Sequence, residues 1–184
     1  DNLGKYLSHV AFVDFDISMQ NILDISNQTV IELGGLGCFD EHGIFPFNVT
    51  IDGDRVLAYT AGWNRKVSVS VDASIGFAIS NNDGLTFQKH GNGPIMAASL
   101  NEPFLIGDPF VTQYEGQYHM WYAGYDGNRM RICHATSSTG VEWTRDPANP
   151  VLTSDPTTWH DNGLNTPKVV IVDDVFHMWF LTND

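Results

Sequence analysis

The chain has 184 residues, 42% of them hydrophobic and 12% aromatic, a composition that describes a folded globular protein and excludes a disordered one. Lys and Arg number 9 against 22 Asp and Glu, giving a formal net charge of −13 with no basic run, which argues against a nucleic-acid partner. No apolar run approaches the roughly 20 residues that cross a bilayer, and nothing near Asp1 joins a basic start to an apolar segment. These features point to a cytoplasmic protein with no membrane partner, and the missing initiating Met to a trimmed start. Cys38 and Cys133 are too few for a disulfide scaffold and are read as reduced.

In chain order, residues 9–33 ("HVAFVDFD…NILDISNQTVIEL") read as the outer strands of an incomplete blade, with Ala11–Asp14 echoing Ala78–Asn81. Residues 44–96 read as one complete blade, 107–152 as a second, and 165–184 as the inner strands of another. The division rests on a repeat. Ile75 and Ile132 lie 57 residues apart, as do Ser80 and Ser137, while Phe87 to Trp143 and Pro94 to Pro150 are 56 apart. A second phrase recurs around Pro46, Pro109 and Pro167, each time as an apolar run, a turn signal (Asp52-Gly53-Asp54, Glu115-Gly116-Gln117, Asp173-Asp174) and an aromatic-rich strand. Four short strands per period, with no helical pattern between them, are how β-propeller blades look in sequence. The expected fold is therefore all-β, a β-propeller of four-stranded antiparallel blades, with residues 1–184 forming a single partial domain of about three blades. One proline per blade suits a strand's first residue.

Those words also carry a resemblance. "HVAFVDFD", "LGGLGCFDEHGIFP", "IGFAISNNDGLTFQKHGNGPIM", "EPFLIGDPFV", "YHMWYAGY" and "ICHATSSTGVEW" together resemble the five-bladed β-propeller glycosidases of glycoside hydrolase families 43 and 130 and their uncharacterised polysaccharide-locus relatives. The resemblance covers almost the whole chain and implies a carbohydrate ligand. It also implies a glycosidase-like hydrolase that inverts at a central carboxylate-lined pocket. A non-catalytic sugar-binding propeller and a protein-interaction scaffold are the alternatives. "SNNDGLTF" (80–87) further resembles the Asp-box turn of sialidases, which a Ser/Asn side chain capping its own turn explains without chemistry.

The repeat names candidate residues for a central site. Asp40 and Asp161 each lie six residues before a blade proline, and Glu102 lies seven before another. Glycoside hydrolysis needs such paired carboxylates, about 6.5–9.5 Å apart for inversion. The resemblance implies Asp40 as base, Asp108 as the orienting or pKa-setting carboxylate, and Glu102 or Asp161 as acid. Phe39, Trp63, Tyr125 and Trp159 offer flat platforms for sugar faces. His42, His160 and Asn165 are placed to face the same ligand. Trp121, Trp143 and Trp179, inside strands, are expected to pack between blades. The seven histidines show no zinc-site spacing, so no cofactor is expected, with calcium on the propeller axis the one ion left open. Three blades leave open edges, which would be closed by further blades of a longer chain or by a homodimer completing the ring.

Overall fold

Among the described residues the period-two alternation becomes twelve strands, with no α-helix. The computed structural model describes residues 6–155, 157 and 163–182. Strands β1 (Val13–Phe15) and β2 (Ile22–Ile25) pair as a two-stranded sheet. Strands β3 (Gly43–Asp52), β4 (Arg55–Arg65), β5 (Val71–Ser80) and β6 (Gln88–Lys89) then form a four-stranded antiparallel sheet in chain order. Strands β7 (Leu105–Tyr114), β8 (Gln117–Tyr125), β9 (Met130–Ser137) and β10 (Thr144–Arg145) repeat that meander. Strands β11 (Leu164–Val172) and β12 (Val175–Thr182) close the series as a two-stranded hairpin. These are the blades of a β-propeller, two with four strands and two sheets with a pair each.

The apolar faces meet at seams between consecutive sheets. Leu57, Tyr59, Ile75 and Phe77 of one blade pack against Ile106, Val111, Met120 and Tyr122 of the next, each 5% exposed or less. Burying side chains of this size contributes roughly 1.5–3 kcal/mol apiece. Val30 and Ile31 cover the other face of the first blade at Ala58 and Ala78, while Trp121 and Ile132 cover Leu164 and Val169 of the hairpin. Trp143 also lies at a seam, edge-on to Tyr59 with ring centroids 5.8 Å apart. Trp179 departs from expectation. It is 58% exposed, because β12 has no following sheet among the described residues to cover that face.

The blade prolines also differ from expectation. None begins its strand. Each sits three or four residues inside it, where the ladder slips between Ile44 and Phe47, Gly107 and Phe110, and Asn165 and Lys168. Such a bulge leaves a residue out of the ladder, so a residue without an N–H loses nothing there. At two of the three bulges the residue before proline adopts positive φ, +51° at Asp108 and +50° at Thr166.

The repeated serines cap the turns between third and fourth strands. Ser80 Oγ accepts the Asn82 and Gly84 amides, and Ser137 Oγ accepts those of Thr139 (3.1 Å) and Gly140 (2.8 Å). The carbonyl of Gly140 then takes two side-chain bonds, from Tyr59 Oη across the seam (3.0 Å) and from Trp143 Nε1 (3.1 Å). Replacing Ser137 with Ala leaves two amides without their acceptor, that of Gly140 buried, and should cost about 1–3 kcal/mol in urea unfolding. A loss below about 0.5 kcal/mol, the range of an ordinary surface substitution, would show that the turn does not depend on this hydroxyl.

Candidate functional site

The bulge at Pro109 gives Asp108 its setting. Positive φ is a sparsely populated conformation that Asp tolerates better than most residues, and residues held there cluster at functional sites. The corresponding bulge of the next sheet grips the side chain. The Thr166 amide and hydroxyl both donate to Asp108 Oδ2, each at 3.0 Å. Oδ1 takes no hydrogen bond among the described residues. Asp108 is half-buried and lines a groove of about 450 Å³, with Phe45, Ala61, Trp63, Leu105 and Met130 among its walls.

Trp63, one of the aromatics expected at the site, lines this groove. Its indole N–H donates to Ser8 Oγ at 2.7 Å, the His42 ring stacks on it at 5.9 Å, and the Arg65 guanidinium lies over it at 5.3 Å. A preorganised aromatic costs little entropy on binding. The groove adjoins a second cavity of about 390 Å³, which shares Val71 and Leu105 with it and is lined by Tyr125 and Phe104. Two of the predicted aromatics thus face adjoining hollows on one rim. His42 stands behind Trp63, its Nδ1 accepting the Arg65 amide at 3.3 Å. Phe39 lies flat against β4 and β5, where a Cβ on Gly62 or Gly76 would strike its ring. Asn165 Oδ1 lies 3.2 Å from the Thr166 hydroxyl, one residue from the grip on Asp108. Trp159, His160 and Asp161 lie outside the described residues.

Asp40 and Glu102 are not brought together with Asp108. Each is buried in its own blade, 0% and 3% exposed, and neither is among the residues that line the groove. Asp40 Oδ2 pairs with Lys89 Nζ at 2.9 Å. Glu102 Oε2 lies 3.4 Å from Arg145 Nε and also takes the Ser99 hydroxyl, while Oε1 accepts from Tyr122 Oη at 2.8 Å. The two pairs are the same device written twice. Both acids pack on the glycine of the second strand, where a Cβ on Gly62 would come within 2.7 Å of Asp40 Cβ and one on Gly124 within 2.8 Å of Glu102 Cγ. Both cations come from the short fourth strand. Burial first, and then Glu102, raises the Tyr122 hydroxyl and pushes the Cys133 thiol up to about 12. The copies differ in detail. Lys89 hydrogen-bonds its acid, whereas Arg145 Nε, though close to Glu102, makes no hydrogen bond among the described residues and the guanidinium donates to the Ala97 carbonyl at 2.6 Å. Thr60 stands where the second blade has Tyr122, and Asp40 Oδ1 is left buried without a partner.

Sequence reasoning passed over Thr166, Lys89 and Arg145. The repeat held a signal for all three, since Thr166-Pro167 falls in register with Asp108-Pro109 and Lys89 and Arg145 are 56 residues apart. Among the described residues no three His, Cys, Asp or Glu side chains converge as metal ligands would. No helix there is long and apolar enough to cross a membrane.

The model of glycoside hydrolase family 130, described as beta-1,4-mannooligosaccharide phosphorylase, matches residues 39–172. Uncharacterised proteins from two strains of Mycobacterium tuberculosis are 32% identical over 186 residues, covering 96% of this chain and 60% of theirs. The chain therefore spans about three-fifths of the length of these curated relatives. A solved glycoside hydrolase superposes with a TM-score of 0.74 at 15% identity, over 94% of this chain and 51% of that one. Another structure is described as showing that the family of mannoside phosphorylases contains glycoside hydrolases that target beta-1,2 mannosidic linkages in Candida mannan. It superposes at 0.58 and 18% identity, over 74% and 43%. At these identities the two structures speak for the fold alone.

The buried pairs lead to a stability prediction. Lys89→Met removes the partner of a carboxylate with no access to water and should destabilise the chain by about 3–5 kcal/mol in urea unfolding. Adding Asp40→Asn to that variant should recover part of the loss, because no uncompensated charge then stays buried. Equal stability of Lys89→Met and the parent would mean that the pair holds nothing together.

Proposed function

The chain belongs to glycoside hydrolase family 130, and on that premise we propose that it acts on a mannose-containing glycan at the groove beside Asp108. The proposed reaction is inverting hydrolysis: water attacks the anomeric carbon as the glycosidic C–O bond breaks, one carboxylate takes the water's proton and a second carboxyl group gives a proton to the leaving oxygen. One observation carries the reading: Asp108 is the one carboxylate in the groove among the described residues, held through a single oxygen and placed beside a braced tryptophan. In this proposal Asp108, accepting two hydrogen bonds as a carboxylate, is the base that takes the water's proton, Asp161 is the remaining candidate for the acid, Thr166 orients Asp108, and Trp63 and Tyr125 receive sugar faces. Asp40 and Glu102, expected as base and acid, are reassigned as buried supports of their blades. Their second oxygens meet protein groups or protein interior rather than the groove.

Phosphorolysis is the second reading, supported by the activity in the description of the family model. A phosphate nucleophile needs cationic donors around it. The groove has no Arg, Lys or His in its lining among the described residues. Arg65 is turned to Trp63 and the Tyr6 carbonyl, and Lys168 lies over Phe110. That lining favours water as the acceptor.

The whole protein that carries this sequence should release mannose from β-linked mannobiose in phosphate-free buffer. A strict need for phosphate, with mannose 1-phosphate as product, would establish the second reading instead. Asp108→Asn should lower kcat by about 10²–10⁴-fold, the range of a lost proton-transfer group, while binding of the disaccharide survives. Unchanged turnover in that variant would remove Asp108 from the chemistry altogether.

A further inference from the structure

At the end of the second blade far from the groove, three titratable side chains stand in line. Asp146 Oδ2 lies 3.2 Å from His134 Nδ1, and His134 Nε2 lies 3.2 Å from His119 Nδ1. Asp146, as a carboxylate, can only accept. With both rings neutral, His134 therefore carries its proton on Nδ1 and accepts at Nε2, so His119 donates from Nδ1 and keeps a bare Nε2. One added proton fits this chain, on His119 Nε2 or, with a change of His119 tautomer, on His134 Nε2 beside Asp146. A second does not. Two imidazolium rings would set N–H against N–H across 3.2 Å, replacing a hydrogen bond with like-charge repulsion.

This chain of groups lies in the seam that docks the β11–β12 hairpin. The His119 ring stacks on Trp121 at 6.0 Å and meets Phe176 of β12 at 5.7 Å, and Phe176 also packs on Trp121 (5.6 Å) and Tyr114 (5.1 Å). The Tyr114 hydroxyl donates to Asp174 in the hairpin turn at 3.1 Å. A cavity of about 470 Å³, lined by Tyr114, Glu115, Gln117, His119, Ser138 and Phe176, brings solvent to the site. The titratable groups around His119 are thus Tyr114 and Glu115 from the β7 end, His134 from β9, Asp146 after β10, and Asp174 from the hairpin.

We propose that Asp146, His134 and His119 form a proton-operated latch between the second four-stranded blade and the β11–β12 hairpin, closed with one added proton or none and opened by a second. Burial, and then the neighbouring His134, holds His119 below the ordinary imidazole value. An opened seam therefore takes up the proton more readily than the closed one. The latch is at full strength above pH about 6.5 and weakens as pH falls below it. At its other end β11 carries Thr166, so an open latch also loosens one of the two sheets that hold Asp108. That last consequence alone rests on the role proposed for Asp108; the latch does not.

Two measurements on the protein test it. Side-chain nitrogen NMR at pH 7.5 should find both Nδ1 atoms protonated and His119 Nε2 bare. Amide hydrogen exchange in β11 and β12, corrected for intrinsic rates, should then speed up about tenfold per pH unit below about 6.5, the slope of an opening tied to one proton. His119→Gln and, separately, His134→Gln remove the second titration and should leave hairpin exchange without that slope. Independent titration of the two rings with no pH response in the hairpin would overturn the latch. So would the same response in the parent and both glutamine variants. Neither measurement uses turnover, so the result stands whatever Asp108→Asn does to activity.

Discussion

The second strand of each four-stranded blade is buried on both faces, and the rest of the structure depends on that. In β4 the six residues from Leu57 to Gly62 are all buried, as are Met120 to Gly124 in β8. A single meander cannot cover itself, so each blade is completed by the next, and a propeller's stability resides in its seams. The seams also explain the residue choice. Small residues such as Ala58, Ala61 and Gly62 stand where a carboxylate, a ring or a neighbouring sheet must come close, and large ones such as Tyr59 and Tyr122 fill the space between sheets.

Two kinds of carboxylate follow from this architecture. Where the loop entering a blade folds back over its second strand, an acid is shut inside the sheet and needs a cation from the same blade, as Lys89 serves Asp40 and Arg145 attends Glu102. Where the first strand bulges at proline, the side chain before it turns out of the ladder. It then meets the matching bulge of the next sheet, so that Asp108 and Thr166 bridge two neighbours. The first arrangement neutralises a charge within a blade. The second leaves one carboxylate oxygen open and places it at the rim of a hollow that no single blade encloses. This division underlies the assignment of chemistry to Asp108.

The hairpin β11–β12 touches both the Asp108 groove and the histidine cluster of the preceding blade. Its inner strand grips Asp108 through Thr166, and its outer strand rests Phe176 on the histidine and tryptophan cluster of the preceding blade. A two-stranded element held at both ends can transmit a change at either, provided the contact that changes has two discrete states. The paired imidazoles supply such states because their hydrogen bond exists with zero or one extra proton and not with two.

The amino-acid sequence by itself determined the strand pattern, the four-strand period and the turn chemistry. Each of these arises from residues close in the chain: alternation over a few positions, Ser80 and Ser137 capping turns three or four residues long, and the paired residues Glu115-Gly116 and Asp173-Asp174 adopting the positive φ of tight hairpins. Repetition amplified those local signals until the blades were legible, and it marked one cavity-lining aromatic in each of two blades, Trp63 in the groove and Tyr125 in the hollow beside it. Only the tertiary structure decided which acids are buried and which opens onto the groove. Asp40 and Glu102 share a repeat position, and that shared position means shared burial, not a shared pocket. The direction of a side chain is set by partners far along the chain: Lys89 is 49 residues from Asp40, and Thr166 is 58 from Asp108. No local pattern encodes whether such a distant residue arrives beside a carboxylate or leaves it open to a groove, because that depends on how neighbouring sheets pack.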